Sequence, residues 1–150
     1  MKEFVNKYGF IKYTELKLDG DTISTIEEND KKNVVYAIAI DDQLVYIGKS
    51  KSLRKRINYY RTSMYRQTKT SDSNKSQKIF EALQSGSTVV FYARQCFNLS
   101  MTNELGTMSI STMDLEEPMF IKMFNPPWNT QHKPKRGNNA EVILKPNEFM

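Results

Sequence analysis

The run VVYAIAIDDQLVYIGKSKSLRKRINYY, residues 34–60, decides the fold of this chain. Its first seven residues are apolar or aromatic and rich in Val and Ile, which predicts a strand buried on both faces. The polar residues 41–43 predict a hairpin turn, and residues 44–47 predict a second strand. Leu53 and Ile57 then lie four residues apart, as on one face of a helix. The stretch therefore predicts a hairpin that leads into a helix.

Tyrosines and cations gather where this hairpin meets the helix. Tyr36 and Tyr46 can project from the same face of neighbouring strands without facing each other directly. Lys49 follows the second strand, and Arg56 and Tyr60 share a helix face because they are four residues apart. For each residue alone, the simpler interpretation is a tyrosine-rich core edge beside a solvated basic helix.

Length and composition narrow the class of protein. A chain of 150 residues suits one domain with one core. The net charge of +5 suits an anionic partner but does not identify one. The single cysteine, Cys96, excludes an intramolecular disulfide and suits a reducing cytosol, and with one histidine a structural zinc site is excluded. No apolar run is long enough for a signal peptide or a membrane span, so we expect a cytoplasmic protein.

A second informative stretch, MDLEEPMFIKMFNPPWN, spans residues 113–129. Pro118 suits the first position of a helix, which would make Glu117 its cap. Apolar residues then recur at helical spacing until the Pro-Pro step ends the helix, and Asn129 follows. On the sequence alone, a plain helix cap is the simpler interpretation of Glu117.

Three blocks of sequence together resemble the GIY-YIG nucleases. Val-Val-Tyr at 34–36 and Tyr-Ile-Gly at 46–48 resemble the two halves of the family signature, with Val34 in place of its first glycine. Residues 46–57 are also similar to the nuclease module of the bacterial excision-repair incision subunit. Over nearly the whole chain, the resemblance is closer to the endonuclease II family of T-even coliphages. A chance match to Tyr-Ile-Gly is common, whereas a match of all three blocks in order, including 117–129, is not.

The resemblance implies an α/β (α+β) domain with the GIY-YIG nuclease fold. We expect a small central antiparallel sheet of three strands flanked by helices, with the third strand at 88–93 and a helix at 76–84. We expect one domain over residues 1–150, divided into an N-terminal arm (1–33), a nuclease core with insertions (34–129) and a tail (133–150). From the residue pattern, we expect residues 8–18 to form a strand or a short helix, residues 97–112 an irregular insertion with one short helix, and residues 142–144 a short strand.

The resemblance also implies the site. The implied catalytic residues are Tyr36, Tyr46, Lys49, Arg56, Tyr60, Glu117 and Asn129. The family places its metal-binding glutamate twelve residues before an asparagine, which makes Glu117 the ligand of one Mg²⁺ ion, with Glu116 as the alternative. Lys75 matches a lysine that approaches the active site in this family, and Arg54 and Lys69 are further predicted DNA contacts.

Each implied residue has a role in phosphodiester hydrolysis. Arg56 offers a planar fork to the scissile phosphate. Tyr36 is the candidate general base, with its pKa lowered by Lys49 or the metal. Tyr46 and Tyr60 position water and phosphate, and Asn129 holds the glutamate's loop by hydrogen bonds within the site. Which tyrosine loses its proton is left open.

The function implied is a Mg²⁺-dependent phage endonuclease that cuts unmodified, cytosine-containing host duplex DNA in the infected cell. Such enzymes assemble as homotetramers, and we expect subunit contacts at 1–33 and 97–112. Whether it nicks or cuts both strands is open. Two alternatives remain: a catalytically inactive DNA-binding module on the same scaffold, and an RNA-processing or RNA-binding protein.

Overall fold

The computed structural model describes residues 1–65 and 71–131, which form a mixed α+β fold. Its helices are α1 (Lys2–Tyr8), α2 (Leu53–Ser63), α3 (Ser71–Gln84) and α4 (Met113–Phe124). Its strands are β1 (Ile11–Leu16), β2 (Leu18–Asp19), β3 (Thr22–Ile23), β4 (Val34–Ile40), β5 (Gln43–Ser50), β6 (Val89–Gln95), β7 (Asn98–Asn103) and β8 (Gly106–Ser111). The main antiparallel sheet has the order β1-β6-β4-β5, while β2–β3 and β7–β8 form separate two-stranded sheets.

The main sheet has four strands, so the prediction of a three-stranded sheet is wrong. The fourth strand is β1, which lies within the expected N-terminal arm and pairs antiparallel with β6. Its register shifts between Lys12 and Thr14, so that Tyr13 and Thr14 are both buried. The bulge interrupts the apolar–polar alternation on which recognition of a strand depends, which explains why the sequence left strand and helix open here.

Strand β4 is the centre of the core, buried on both faces as the sequence predicts. Tyr36 and Ile38 face a cluster that includes Leu53 and Ile57 of α2. Val35 and Ala37, with Ile47 of β5, face a cluster built on α1 and α4. Helices α2 and α3 therefore cover one face of the sheet and α1 and α4 the other.

The β4–β5 hairpin turns over two residues rather than the expected three. Asp41 and Asp42 have φ angles of 49° and 63°, the type I′ geometry that suits the twist of paired strands. Gln43 is therefore already paired with Ile40. An irregularity in the register leaves Val45 without a partner on β4, and beyond it Tyr46 lies opposite Ile38.

Two helices begin earlier than the sequence predicts. Helix α3 begins at Ser71 rather than at 76, so Lys75 lies on a helix and not in a loop. Helix α4 begins at Met113, so Glu117 is inside the helix and is not its cap. The N–H of Glu116 donates to the carbonyl of Thr112 (2.8 Å), which starts the helix before Pro118. Proline so near an N-terminus removes a single helical hydrogen bond, and the helix continues through it.

The expected irregular insertion at 97–112 is wrong, because these residues form the regular hairpin β7–β8. Hydroxyl pairs cross it at Ser100–Ser109 (2.9 Å) and Thr102–Thr107 (3.0 Å). The Ser and Thr side chains alternate with apolar ones, a period of two that indicates strands. The predicted tail and its strand at 142–144 lie outside the described residues. Within those residues, no helix combines the length and the apolar character that a membrane span requires.

Candidate active site

Three of the predicted tyrosines meet on the face of the sheet covered by α2. The hydroxyls of Tyr36 on β4 and Tyr60 on α2 are 2.6 Å apart, and both side chains are buried. The ring centre of Tyr46 lies 6.1 Å from that of Tyr36. The ring of Phe91 on β6 stacks against that of Tyr36, with 6.1 Å between the ring centres. The two halves of the tyrosine motif are thus paired strands with adjoining rings.

Gly48 makes room for the ring of Tyr36. The two residues lie opposite each other on β5 and β4. A Cβ atom on Gly48 would lie 2.6 Å from both Cζ and Oη of Tyr36, closer than atoms of this kind can approach. The glycine of the Tyr-Ile-Gly run therefore serves close packing rather than an unusual backbone angle.

The protein surroundings raise the pKa of Tyr36 well above its ordinary value of 10, so the predicted lowering by Lys49 is not found, and a lowering by the metal stays a prediction. Burial is the largest cause, and Tyr60 and Tyr46 act in the same direction. Arg56 pulls the pKa down without reversing the shift. Tyr36 is accordingly a neutral phenol in the resting site, and the cation that acts on it is Arg56 rather than Lys49.

Lys49 and Glu117 lie on the opposite face of β5. The Nζ atom of Lys49 is 2.7 Å from Oδ1 of Asp114 in the first turn of α4. The hydrogen bond to Asp114 raises the pKa of Lys49, and the charge of Glu117 acts in the same direction. Asp114 and Glu117 are three residues apart on one helix face. Asp114 was not predicted as a site residue, because this spacing from Glu117 was its only signal in the sequence.

Glu116 has a different position from Glu117. Its Oε1 atom accepts from Nε and Nη2 of Arg94 on β6, at 2.8 and 2.6 Å. Nη1 of Arg94 donates to the carbonyl of Tyr8 (2.6 Å), and its guanidinium lies over the ring of Phe120. The carboxylate of Glu116 is therefore held by β6, while Glu117 is a buried carboxylate, 9% exposed, near Lys49.

Asn129 binds the edge of β5. Its side-chain Oδ1 accepts from the N–H of Ile47 (3.0 Å), and its Nδ2 donates to the carbonyl of the same residue (2.8 Å). The N–H of Trp128 donates to the carbonyl of Val45 (2.9 Å). The prediction had Asn129 hold the loop of the glutamate, whereas its bonds hold the strand that carries Tyr46 and Lys49.

The predicted DNA contacts fall in different places. Lys75 of α3 comes within 4.5 Å of the ring centre of Tyr46, measured from Nζ. Arg54 donates from Nη2 to the carbonyl of Ile26 (3.1 Å) and from Nη1 to that of Glu28. Its guanidinium therefore binds the segment before β4. Lys69 lies outside the described residues. The DNA contacts of Lys75, Arg54 and Lys69 stay predictions.

The residues that could hold a metal are few. In residues 1–65 and 71–131, no three His, Cys, Asp or Glu side chains come together as a metal-binding group. Glu117 offers one buried carboxylate. Mg²⁺ keeps several of its waters and is often bound through only one or two carboxylates and substrate phosphates, so this donor suits it.

Comparison with known proteins identifies the family. Endonuclease II of Enterobacteria phage T4 is 68% identical over 136 residues, which cover 90% of this chain and 100% of that protein. The chain belongs to the Endonuclease II family. It is an endonuclease, and the inactive-module alternative is therefore wrong. No model of a protein family matches the chain.

The fold agrees with that of a relative. A solved structure of a glutamate-to-alanine mutant of bacteriophage T4 EndoII is 66% identical, with a TM-score of 0.83 over 87% of this chain and 98% of that one. Its mixed α+β architecture matches that of this Endonuclease II family member. Restriction endonuclease HPY188I in complex with product DNA is 21% identical, with a TM-score of 0.48 over 93% of this chain and 86% of that one.

Proposed function

We propose that this chain is a Mg²⁺-dependent phage DNA endonuclease of the GIY-YIG type, hydrolysing phosphodiester bonds in duplex DNA. Membership of the Endonuclease II family supplies the class of reaction. The observation that carries the rest is the edge strand β5, where side chains far apart in sequence converge. Tyr36, Tyr46, Tyr60 and Arg56 lie on one face, and Lys49 and Glu117 lie on the other. The net charge of +5 supports a polyanionic substrate.

Glu117 would hold the metal ion. It is a hard oxygen donor, buried and adjacent to Lys49. When bound, Mg²⁺ would supply charge stabilisation to the phosphate and to the leaving oxygen. The Arg94–Glu116 ion pair supports Glu117 rather than Glu116 as the metal ligand, because the carboxylate of Glu116 is already bound by Arg94. The same ion pair anchors α4 to β6.

Arg56 and Tyr46 would bind the phosphate. Arg56 projects from α2 one turn before Tyr60, near enough to Tyr36 for its charge to lower the pKa of that phenol. Its planar fork matches two phosphate oxygens and adds charge to the hydrogen bonds. Lys75, whose ammonium lies over the Tyr46 ring, adds positive charge on the same side. These cations would stabilise the charge that develops on the phosphate.

Tyr36 would accept the proton of the attacking water. Its Oη is oriented by Tyr60, which fixes the phenol in one position. Because the surroundings raise the pKa of Tyr36, only a small fraction is phenolate at neutral pH. The consequence is a rate that rises with pH over the whole neutral and mildly alkaline range.

The substrate and setting follow from kinship with a phage enzyme. We infer that the enzyme cuts unmodified, cytosine-containing host DNA in the cytoplasm of the infected cell, with phage DNA spared by its modified cytosines. The relative of bacteriophage T4 supports the phage origin of this activity.

The hairpin β7–β8 would join subunits of a homotetramer. Its cross-strand pairs Leu99–Ile110 and Met101–Met108 form an apolar face whose side chains are 43–57% exposed. The opposite face carries the paired hydroxyls. A two-stranded hairpin is only marginally stable alone, and an exposed apolar face of this kind marks an interaction surface. Of the two expected contact regions, 97–112 thus has the stronger support.

The test is cleavage of unmodified plasmid DNA by the wild type and by Arg56→Ala, with Mg²⁺ and with EDTA. The proposal predicts nicked or linear product only for the wild type with Mg²⁺. A structured RNA of similar length serves as competing substrate. Cleavage in EDTA, undiminished cleavage by Arg56→Ala, or preferential cleavage of the RNA would each contradict the proposal.

A further inference from the structure

A second contact between a lysine and an aromatic ring lies one helical turn along α3 from the Lys75–Tyr46 contact. Lys78 follows Lys75 by three residues, which places both on neighbouring positions of one helix face. The Nζ atom of Lys78 lies 5.2 Å from the ring centre of Trp128, and that of Lys75 lies 4.5 Å from the ring centre of Tyr46. The proposed catalytic set uses neither Lys78 nor Trp128.

Both aromatic residues are attached to strand β5, one as a member of the strand and the other by a backbone hydrogen bond. Tyr46 belongs to β5, and the N–H of Trp128 donates to the carbonyl of Val45 in that strand (2.9 Å). Asn129 fixes the next position by its two bonds to Ile47. The Lys75–Tyr46 and Lys78–Trp128 contacts therefore form one basic strip, which begins at the tyrosines of the proposed site and continues along α3.

The charge of Lys78 is available to a ligand. Its side chain is exposed, and it makes no ion pair within the part of the chain that the structure describes. On its own helix, Glu81 instead accepts a hydrogen bond from Gln77 (3.2 Å). A lysine held over an aromatic face keeps its charge and gives up less side-chain freedom when it binds.

The spacing suits a nucleic acid backbone. Three residues of helix advance about 4.5 Å along the helix axis. Successive phosphates of one DNA strand advance about 3.4 Å along the duplex axis, so two such lysines can meet neighbouring phosphates. An isolated phosphate ion would need only one of the two lysines, so the pair favours a chain of phosphates.

We propose that Lys78 and Trp128 form a further DNA-binding site, in which Lys78 contacts a backbone phosphate next to the scissile one and Trp128 holds the lysine in place. This inference rests on the proposed function, because it takes DNA to be the substrate. Lys78 contacts phosphate and not a base edge, so it contributes equally on every sequence.

The first experiment measures the salt dependence of binding to a short duplex in EDTA, where no cleavage occurs. Lys78→Gln is compared with the wild type and with Lys17→Gln. The control removes the same charge from an exposed lysine just beyond β1, the opposite edge strand of the sheet. For Lys78→Gln, the slope of log K against log salt should fall by about 0.9. The loss of affinity of Lys78→Gln relative to the wild type should therefore be roughly eightfold larger at 0.1 M salt than at 1 M salt.

The second experiment uses the fluorescence of Trp128, the only tryptophan in the chain. Saturating duplex should change the emission of the wild type, and Lys78→Gln should reduce this change. Trp128→Phe keeps an aromatic face and should bind DNA like the wild type, whereas Trp128→Leu, which leaves the charge of Lys78 but not its support, should bind more weakly than Trp128→Phe.

The outcomes separate this inference from the proposed function. A wild type that cleaves DNA normally while Lys78→Gln keeps the wild-type salt slope overturns the Lys78 site alone. Unchanged Trp128 emission at saturation overturns it as well. A wild type that neither binds nor cuts duplex DNA overturns the proposed function, and the Lys78 site falls with it.

Discussion

The hydroxyl of Tyr36 on β4 lies 2.6 Å from the hydroxyl of Tyr60 on α2, within the buried face of the main sheet. This contact joins the first and last tyrosines of the stretch that decides the fold. It orients the phenol proposed as general base, and Tyr60 is also one of the causes that raise its pKa. The same neighbour therefore orients the phenol and adds to the rise in its pKa, which burial causes in the first place.

The raised pKa of Tyr36 predicts the pH dependence of cleavage. The phenolate is the active form, and the pKa lies above 10, so its fraction grows about tenfold per pH unit below that value. Single-turnover cleavage should rise with a slope near one between about pH 7 and pH 9, without a plateau. Tyr36→Phe should lose both the slope and most of the activity. A wild-type rate that is already flat at neutral pH would contradict the role of Tyr36 as base.

Gly48→Ala should damage catalysis more than stability. The new methyl group would lie 2.6 Å from Cζ and Oη of Tyr36 and must displace that ring. A displacement of about 1 Å can cost about 100-fold in rate, and we expect a loss of that order in single-turnover cleavage. Gly86→Ala is the control, because its methyl group meets open space at a φ of 84°. It should cost about 1–2 kcal/mol of stability and leave the rate unchanged. Equal losses of rate in both variants would refute the packing argument.

Charges on the apolar face of β7–β8 should disrupt assembly. Leu99→Lys combined with Ile110→Lys places two like charges on a cross-strand pair that we propose to be buried between subunits. Light scattering should give the mass of a tetramer for the wild type and a smaller mass for the double variant. Ser100→Lys, on the opposite face of the same hairpin, should remain tetrameric. A monomeric wild type, or a double variant of unchanged mass, would be inconsistent with this interface.

Asn129→Ala should weaken the fold through the edge of β5. It leaves the N–H and the carbonyl of Ile47 without their side-chain partners in a buried position. We expect a loss of about 1–3 kcal/mol in the free energy of unfolding, measured with urea. Asn74→Ala, at an exposed position of α3, should change stability by less than about 0.5 kcal/mol. If the two variants were equally stable, the hydrogen bonds to Ile47 would not contribute to the free energy of unfolding.

The parts of the fold that depend on local sequence were predictable. The apolar run of β4, the polar turn and the spacing of Leu53 and Ile57 required no distant partner. Strand β1 was not predicted with certainty because a bulge breaks its alternation, and the sheet was therefore counted one strand short. Polar and apolar residues do alternate along β7 and β8, but their apolar face is exposed, unlike that of strands in the core of a monomeric protein.

The proximity of the three tyrosines was predictable from the sequence, and their electrostatic surroundings were not. Motif spacing named Tyr36, Tyr46 and Tyr60, and the structure brings them together. The rise in the pKa of Tyr36 that the protein itself causes was not predicted, because burial depends on packing that the spacing does not contain. The ion pair of Lys49 with Asp114 and the contact of Lys78 with Trp128 join segments whose proximity exists only in the folded chain.

The central claim is that Glu117, in an Endonuclease II family site at β5, holds the metal that cleavage of DNA requires. The most direct test is plasmid cleavage with Mg²⁺ by Glu117→Gln beside Glu116→Gln, with binding of a short duplex measured in EDTA. Both variants replace a carboxylate by an amide of the same size on adjacent residues. The account predicts that Glu117→Gln binds DNA like the wild type but does not cut it. Glu117→Ala should behave in the same way, and Glu116→Gln should still cut DNA. Cleavage by Glu117→Gln at the wild-type rate, or loss of cleavage in Glu116→Gln alone, would contradict it.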